Sequence, residues 1–230
     1  VVQCYDNFNF NINSIPEYIT ANINVLFLEE NQVVQGITLL DFESLNTSVA
    51  LDLEGQLVWF ADKYNFTPNK INLAQFLNTG NMIGFGAGNG YEFNLDSEIV
   101  FETPNNIGVH HQIYKTNNDT YFLIDAEVDN YPCPEECNEF FIEDIPWQGD
   151  RFLELNSFGE IIWEWNTFDY LTLNEYNPYW AEVYTGATNF DWTHSNSVIF
   201  NEILNTVLIS IRNLSRVTAI DYTSKDINWN

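Results

Sequence analysis

A short hairpin whose second strand carries an aromatic residue recurs four times in this chain. The four copies are VALDLEGQLVWF, YEFNLDSEIVFE, FLELNSFGEIIWEWN and VTAIDYTSKDINWN. Each reads as a strand, a tight polar turn and a second strand, and the recurring aromatics are Trp59, Phe101, Trp163 and Trp229. A hairpin that returns at such intervals, with further strands before each copy, is typical of β-propeller blades of about 40–50 residues.

The repeat predicts an all-β fold, a propeller of four-stranded antiparallel blades at about residues 21–62, 76–102, 108–166 and 191–230. The longer intervals require insertions, at residues 127–150 and 167–190. Residues 62–77 are expected to be a linker or short helix, beginning a helical turn at Thr67-Pro68. The whole chain, residues 1–230, is then a single incomplete propeller domain.

The glycine run GFGAGNG at residues 84–90 resembles a nucleotide-binding loop only superficially. A phosphate-binding loop needs a helix N-terminus behind it, and here a strand follows. The run is therefore predicted to be a tight turn within a blade.

Charge and hydropathy exclude several classes of partner. The chain has 7 Lys and Arg against 33 Asp and Glu, a net charge of −26, so nucleic acid and anionic membrane surfaces are poor partners. No apolar run is long enough to span a membrane. Such acidity suits a saline or extracellular setting. Because the chain begins with Val1 and has no signal-peptide pattern, we expect a mature or truncated fragment.

The hairpin within residues 191–213 predicts a polar cluster. With its turn centred near Ile203, His194 lies opposite Arg212, and Asn196 opposite Ser210. Paired residues share a face of the sheet, so an imidazole, a carboxamide and a guanidinium gather together, away from an apolar face. These groups suit an oxyanion such as sulfate or phosphate. The alternative is a polar strand end whose arginine pairs with one of the many carboxylates.

A second histidine position opens the third predicted blade, GVHHQIYKTNNDTYFLIDAEV. His110 and His111 begin a strand at about the same phase as His194 in the next blade. Equivalent positions on innermost strands converge on the central channel of a propeller. Strand alternation allows only one of the two adjacent histidines to face inward. The alternative is a histidine that satisfies a neighbouring backbone group.

Two further clusters have weaker patterns. Cys133 and Cys137, in PCPEEC, are predicted to close a small disulfide loop, and the signal for zinc is weak without a nearby histidine. Asp125, Glu127 and Asp129 alternate on one strand face and could hold calcium, but a solvated strand edge is the favoured interpretation.

The motifs D-W-T-H-S-N-S-V, I-S-I-R-N-L-S-R-V-T-A-I-D and I-N-W-N, with H-H-Q-I-Y-K-T-N-N-D-T-Y-F-L-I before them, resemble the arylsulfotransferase (ASST) family over about residues 108–230. The resemblance implies a six-bladed propeller, of which about four blades are present here, with its site in the central channel. It implies transfer of a sulfuryl group from a phenolic sulfate ester to a phenol through a sulfated histidine. No cofactor is implied, not even the nucleotide donor PAPS, and the setting is periplasmic or secreted.

The resemblance also assigns residues. His194 and Asn196 match the family's His-x-Asn, Arg212 matches the arginine that binds sulfate oxygens, and His110 or His111 matches the earlier pocket histidine. The family's nucleophilic histidine is expected in a later blade, beyond the end of this chain, and His-His-Gln replaces His-His-Asp. We therefore expect a fragment that is inactive alone.

The implied partners are small molecules, an aryl sulfate and a phenol, and Trp180 and Tyr184 in the second insertion are candidates to stack on the phenol ring. The alternative function is a non-catalytic propeller that binds a protein or carbohydrate through its blade loops.

Overall fold

The computed structural model describes residues 16–20, 36–134, 146–184 and 187–230. Within these ranges the chain forms four sheets, taken up one after another in chain order. Each sheet is built almost entirely from antiparallel neighbours joined by short turns, so consecutive strands of the sequence lie side by side.

Sheet 1 has three strands: β1 (Thr38–Phe42), β2 (Thr47–Leu51) and β3 (Leu57–Phe60). Sheet 2 has four: β4 (Asn72–Phe76), β5 (Met82–Phe85), β6 (Gly90–Phe93) and β7 (Ile99–Glu102). Sheet 3 contains β8 (Val109–Lys115), β9 (Tyr121–Asp129), β10 (Trp147–Leu155) and β11 (Ile161–Asn166), with the short β12 (Phe190–Asp191) parallel to β10. Sheet 4 contains β13 (Ser195–Asn201), β14 (Thr206–Ile211), β15 (Arg216–Asp221) and β16 (Ile227–Trp229).

Short helices occur before the sheets and in the second insertion: α1 (Glu17–Thr20), α2 (Thr167–Tyr170) and α3 (Pro178–Val183). Asparagine caps both insertion helices. The side chain of Asn166 accepts a hydrogen bond from the N–H of Phe168, and that of Asn177 accepts one from Tyr179. None of the helices in the described part of the chain has the length and hydropathy that a membrane crossing needs.

The first strands of the four sheets lie next to one another in turn, β1 beside β4, β4 beside β8, and β8 beside β13. They are not joined as a continuous sheet. Instead, side chains of one strand bond the backbone of the next, as where the Gln112 Oε1 atom accepts from the N–H of Val198 at 2.8 Å. This arrangement gives the chain an inner row of first strands from which the sheets extend outward.

Neighbouring sheets share their apolar cores. One core joins sheets 3 and 4 through fully buried side chains such as Phe122, Phe152, Val198 and Ile209. Two further cores join sheet 1 to sheet 2 and sheet 2 to sheet 3. Sheets 2 and 3 therefore bury both faces, each against a different neighbour. Radial stacking of this kind confirms the predicted all-β class and makes the chain part of a β-propeller.

In the first three hairpins the recurring aromatic contacts the following sheet. Nε1 of Trp59 donates to the carbonyl oxygen of Leu95 at 2.8 Å, and Nε1 of Trp163 donates to that of Tyr222 at 2.8 Å. Phe101, at the equivalent place in sheet 2, stacks on a tyrosine of sheet 3 with ring centroids 3.9 Å apart. The repeat seen in the sequence is thus a repeated contact between blades.

The linker expected at residues 62–77 is wrong in part. A 3₁₀ turn at Lys63–Asn65 and a cis Thr67-Pro68 bond lead into β4, so sheet 2 begins at Asn72. The strand was missed because its exposed side chains are the apolar Ala74 and Phe76, whereas the covered ones include the polar Asn72 and Gln75, so hydrophobicity does not follow burial along it.

Other predicted segments can be compared with the structure. The glycine run is a turn between β5 and β6, as predicted, and Gly88 has φ +101°, a backbone conformation that favours glycine. The first insertion is shorter than 127–150, because β9 continues to Asp129 and β10 begins at Trp147. The first part of the blade predicted at residues 21–62, up to residue 35, lies outside the described residues.

Candidate functional site

The three histidines of the chain lie together. The ring centroids of His110 and His111 are 5.2 Å apart, and those of His111 and His194 are 4.9 Å apart. The first two belong to β8 of sheet 3, and His194 immediately precedes β13 of sheet 4. Two neighbouring sheets therefore contribute to one cluster at the inner row of strands.

Irregular backbone brings both members of the His110–His111 pair into this cluster. Val109 pairs with Asp125 and Ile113 pairs with Leu123, so β8 has two more residues than β9 across this interval. The bulge puts both rings in the cluster, because strict alternation holds only in a regular strand, and the choice of the one that faces the channel stays a prediction.

His111 and His194 also share an uncommon backbone conformation. Their φ angles are +58° and +49°, in the left-handed region. For residues other than glycine this region costs free energy, about 1–3 kcal/mol when the surroundings impose it, and such residues cluster at functional sites.

A buried carboxylate contacts His110. Asp150 on β10 is fully buried, and its Oδ1 atom lies 3.2 Å from Nε2 of His110. The N–H is not aimed well at that oxygen, so the contact is an ion pair and not a well-formed hydrogen bond. Burial by itself lowers the pKa of His110, but the adjacent Asp150 charge outweighs burial, and the pKa is raised. For Asp150 burial opposes ionisation, yet contact with His110 and hydrogen bonds lower its pKa.

A second carboxylate holds His194. Nδ1 of His194 lies 2.5 Å from Oδ2 of Asp191, and the backbone N–H of His194 donates to Oδ1 of Asp191 at 3.1 Å. Since an ionised carboxylate only accepts, Nδ1 carries the proton and Nε2 is the nitrogen left for a ligand. Sequence reasoning named neither Asp150 nor Asp191. The spacing D-W-T-H was a signal for Asp191, whereas Asp150 had none among 33 acidic residues.

His111 differs from its neighbours in its electrostatic surroundings. Burial lowers its pKa, and the nearby His110 and His194 rings lower it further. The ring is more exposed than that of His110. His111 is therefore the accessible imidazole that loses its proton more readily, and His110 the one that keeps it to higher pH.

The structure places Arg212 across the strand pair from His194. The N–H of Arg212 donates to the carbonyl oxygen of His194 at 3.3 Å, as the predicted register required. Its Cζ atom lies 4.2 Å from the centroid of the Trp180 ring on α3, a cation–π contact. The side chain is exposed, and within the described ranges no carboxylate pairs with it, unlike Arg151 and Arg216.

Asn196 is not where the sequence placed it. Near the turn Asn201 pairs with Thr206, one residue away from the predicted register, so Ser210 pairs with Ser197 and the predicted opposition of Asn196 and Ser210 is wrong. Asn196 is an extra residue between Ser195 and Ser197, and it is exposed. This bulge shifts the register by one, so that His194 still lies opposite Arg212.

The acidic strand β9 and Cys133 are not part of this cluster. Asp125 is buried, and its Oδ2 atom accepts from Nε of Arg151 at 3.1 Å. A solvated edge is therefore wrong for Asp125, and within the described ranges no group of three His, Cys, Asp or Glu side chains is arranged to hold a metal ion. Cys133 is disulfide-bonded. Its predicted partner Cys137 lies outside the described residues, so that pairing stays a prediction.

Comparison with known proteins gives a family and a set of solved structures. A model of the arylsulfotransferase (ASST) family matches residues 12–230. None of the curated proteins matches the chain.

The chain is similar to three solved structures, at low identity. A protein of unknown function from Bacteroides caccae is 17% identical over 65% of this chain and 50% of its own, with a TM-score of 0.37. BamB from Moraxella catarrhalis is 9% identical over 88% and 50%, with a TM-score of 0.42. The WD40 domain of SCAP from fission yeast is 11% identical over 90% and 56%, with a TM-score of 0.24. The chain thus spans about half the length of the first two proteins.

Proposed function

Because the chain belongs to the arylsulfotransferase (ASST) family, we propose that it acts in transfer of a sulfuryl group from a phenolic sulfate ester to a phenol. The observation that carries this proposal is the clustering of all three histidines, two of them in contact with buried or nearly buried carboxylates, at the inner ends of two sheets. No other set of side chains in the described ranges combines nucleophilic, acidic and cationic groups in this way.

Binding of an anionic donor requires local positive charge, because the overall charge of −26 repels it. Arg212 supplies that charge, because no carboxylate pairs with its guanidinium within the described residues. Contact with Asp150 raises the pKa of His110, so its ring keeps a proton to higher pH than a free imidazole. A planar guanidinium offers paired donors to the oxygens of a sulfate ester. Asn196, exposed on the bulge of β13, can donate a further hydrogen bond.

Proton and sulfuryl transfer then use the other two histidines. A nitrogen–sulfur bond forms at a neutral imidazole while the bond from sulfur to the phenolic oxygen breaks, and the departing phenolate takes a proton from a protonated histidine. Because Asp191 holds His194 through Nδ1–H, a second proton on the ring sits on Nε2, and in that protonated form His194 can donate it to the phenolate. The family resemblance assigns the attacking histidine to a later blade. Within these 230 residues, His111 is the neutral ring suited to the role.

Aromatic residues of the second insertion lie beside Arg212. Trp180 stacks under the Arg212 guanidinium, and the Tyr184 side chain reaches towards Asp191, with its hydroxyl 3.5 Å from Oδ2. We place the phenol ring of the substrate against these residues, because aromatic rings stack favourably and Trp180 already fixes the arginine.

The setting follows from the same proposal. Family membership and the disulfide at Cys133 support a periplasmic or extracellular location, since disulfides persist in oxidising compartments. The partners are the aryl sulfate and the phenol.

A colorimetric transfer assay of the full-length protein, with a nitrophenyl sulfate donor and a phenol acceptor, tests the proposal. Arg212→Ala should lower kcat/KM by about 100-fold or more, the usual cost of removing one charge-stabilising donor. Arg216→Ala is the matched control, because Arg216 lies in the same sheet and pairs with Glu175. We expect it to change the rate by less than about two-fold. An Arg212→Ala protein with the normal rate would contradict the assignment.

Exposed apolar residues favour a second candidate function, a non-catalytic propeller that binds a protein or carbohydrate. Phe158 and Ile203, at the tips of two hairpins, are 85% and 95% exposed. Calorimetric titration with an aryl sulfate distinguishes the two functions. Sulfuryl transfer requires the wild-type chain to bind the aryl sulfate, whereas a non-catalytic propeller needs neither to bind nor to transfer it.

A further inference from the structure

One fully buried carboxylate touches both segments that carry the histidines. Oδ1 of Asp150 contacts His110, while its Oδ2 accepts from the Thr193 hydroxyl at 2.7 Å and from the Ser195 N–H at 2.7 Å. Thr193 and Ser195 are the immediate neighbours of His194 in the chain. We propose that Asp150 is a positioning residue, which fixes the histidines of sheet 3 and sheet 4 relative to each other.

The position of Asp150 in the fold suits this role. It lies on β10, an interior strand hydrogen-bonded to β9 on one side and β11 on the other. Its own N–H donates to the Thr167 hydroxyl at 3.0 Å, at the start of α2. The carboxylate is therefore held by the regular part of sheet 3, whereas the histidines lie on irregular backbone.

The histidine segments need such an anchor. β8 and β13 lie side by side without strand pairing, and the other links between them, from Gln112 and Tyr114, lie farther along β13, at Val198 and Phe200. Left-handed residues such as His111 and His194 persist only when the surroundings over-determine them. At the histidine end of the two strands, Asp150 supplies two hydrogen bonds to the neighbours of His194 and an ion pair to His110, the neighbour of His111.

Asp150→Asn tests the inference, with Glu154→Gln as the matched control. Glu154 lies four residues along the same strand, is also buried, and also joins sheets 3 and 4, through the Tyr222 hydroxyl at 2.6 Å. Both substitutions remove one buried negative charge from β10, but only the first touches the histidine segments.

Histidine NMR provides two readouts that do not depend on turnover. With only three histidines, each ring can be assigned by single substitutions. In Asp150→Asn the pKa of His110 should fall by about one pH unit or more, as expected when an adjacent opposite charge is removed. The nuclear Overhauser effect between the His111 and His194 rings, which lie 4.9 Å apart, should weaken. In Glu154→Gln both should match the wild type. A folded Asp150→Asn protein with unchanged His110 titration and unchanged ring contact overturns the proposal.

If Asp150→Asn does not fold, Thr193→Val decides the question. This near-isosteric change removes one hydrogen bond to Oδ2 and leaves the carboxylate in place. Weakened contact between the His111 and His194 rings supports the inference, and unaltered contact overturns it.

The kinetic consequence rests on the proposed function. If the wild type transfers sulfuryl groups, Asp150→Asn should lower kcat more than Glu154→Gln and move the pH–rate profile. If the wild type transfers no sulfuryl group, the proposed function is refuted. The positioning role is then decided by the two NMR readouts alone.

Discussion

At the scale of single residues, the candidate site contains ionisable side chains whose charged forms would be disfavoured by burial alone. The clearest case is the pair formed by His110 and Asp150, in which the pKa of the histidine is raised and that of the acid is lowered. Each shift makes the free energy of unfolding depend on pH, because the group binds protons differently in the folded and the unfolded chain.

The pair predicts a stability loss on the alkaline side. The contribution of His110 is fully present below its unfolded pKa of about 6.5 and is lost as pH rises through the higher folded value. The contribution of Asp150 is lost instead as pH falls through its lowered folded value. Urea unfolding should therefore show a free energy of unfolding that declines above neutral pH in the wild type. His110→Gln should remove that decline, and a decline of equal size in the variant would contradict the pairing.

Sequence reasoning found the histidines and Arg212 but not the geometry around them. His194 and Arg212 face each other only because the extra residue Asn196 shifts by one the register that is set at the turn, where Asn201 pairs with Thr206. The bulges at His111 and Asn196 could not be foreseen, since an extra residue leaves no mark in a seven-residue strand. Asp150 was missed because its importance comes from contacts with residues more than forty positions away.

At the scale of strands and sheets, the recurring aromatic explains why the fold could be predicted. A hairpin leaves a recognisable pattern of strand, turn and strand in the sequence, which a bulge does not. Because the same contact between blades recurs, the same type of residue, an aromatic, recurs with it. The weak edge strand β4 had no such pattern, and it was predicted as a linker.

The equivalent tryptophans of sheets 3 and 4 allow a matched test of that contact. Trp163 is 5% exposed and bonded to sheet 4, whereas Trp229 is 55% exposed. Trp163→Ala should lower the free energy of unfolding by about 3–5 kcal/mol, the range for large buried side chains. Trp229→Ala should cost less than about 1 kcal/mol. Chemical denaturation measures both. Equal losses would show that the aromatic is not a contact between blades.

At the scale of the whole molecule, four stacked sheets bring an inner row of strands together, and the histidines lie on two of these strands. The acidic surface repels an anionic ligand, whereas the small site with Arg212 attracts it. An aryl sulfate is therefore expected to bind at the histidines and Arg212 and nowhere else on the described surface.

The central claim is that two neighbouring sheets form one anion site from His110, His111, His194 and Arg212. Titration of phenyl sulfate into the chain, followed by the ring signals of the three histidines, tests it most directly. The account predicts that all three signals shift along one saturation curve, and that Arg212→Ala weakens binding while Arg216→Ala does not. Signals that stay unmoved, or a single histidine that shifts alone, would contradict it.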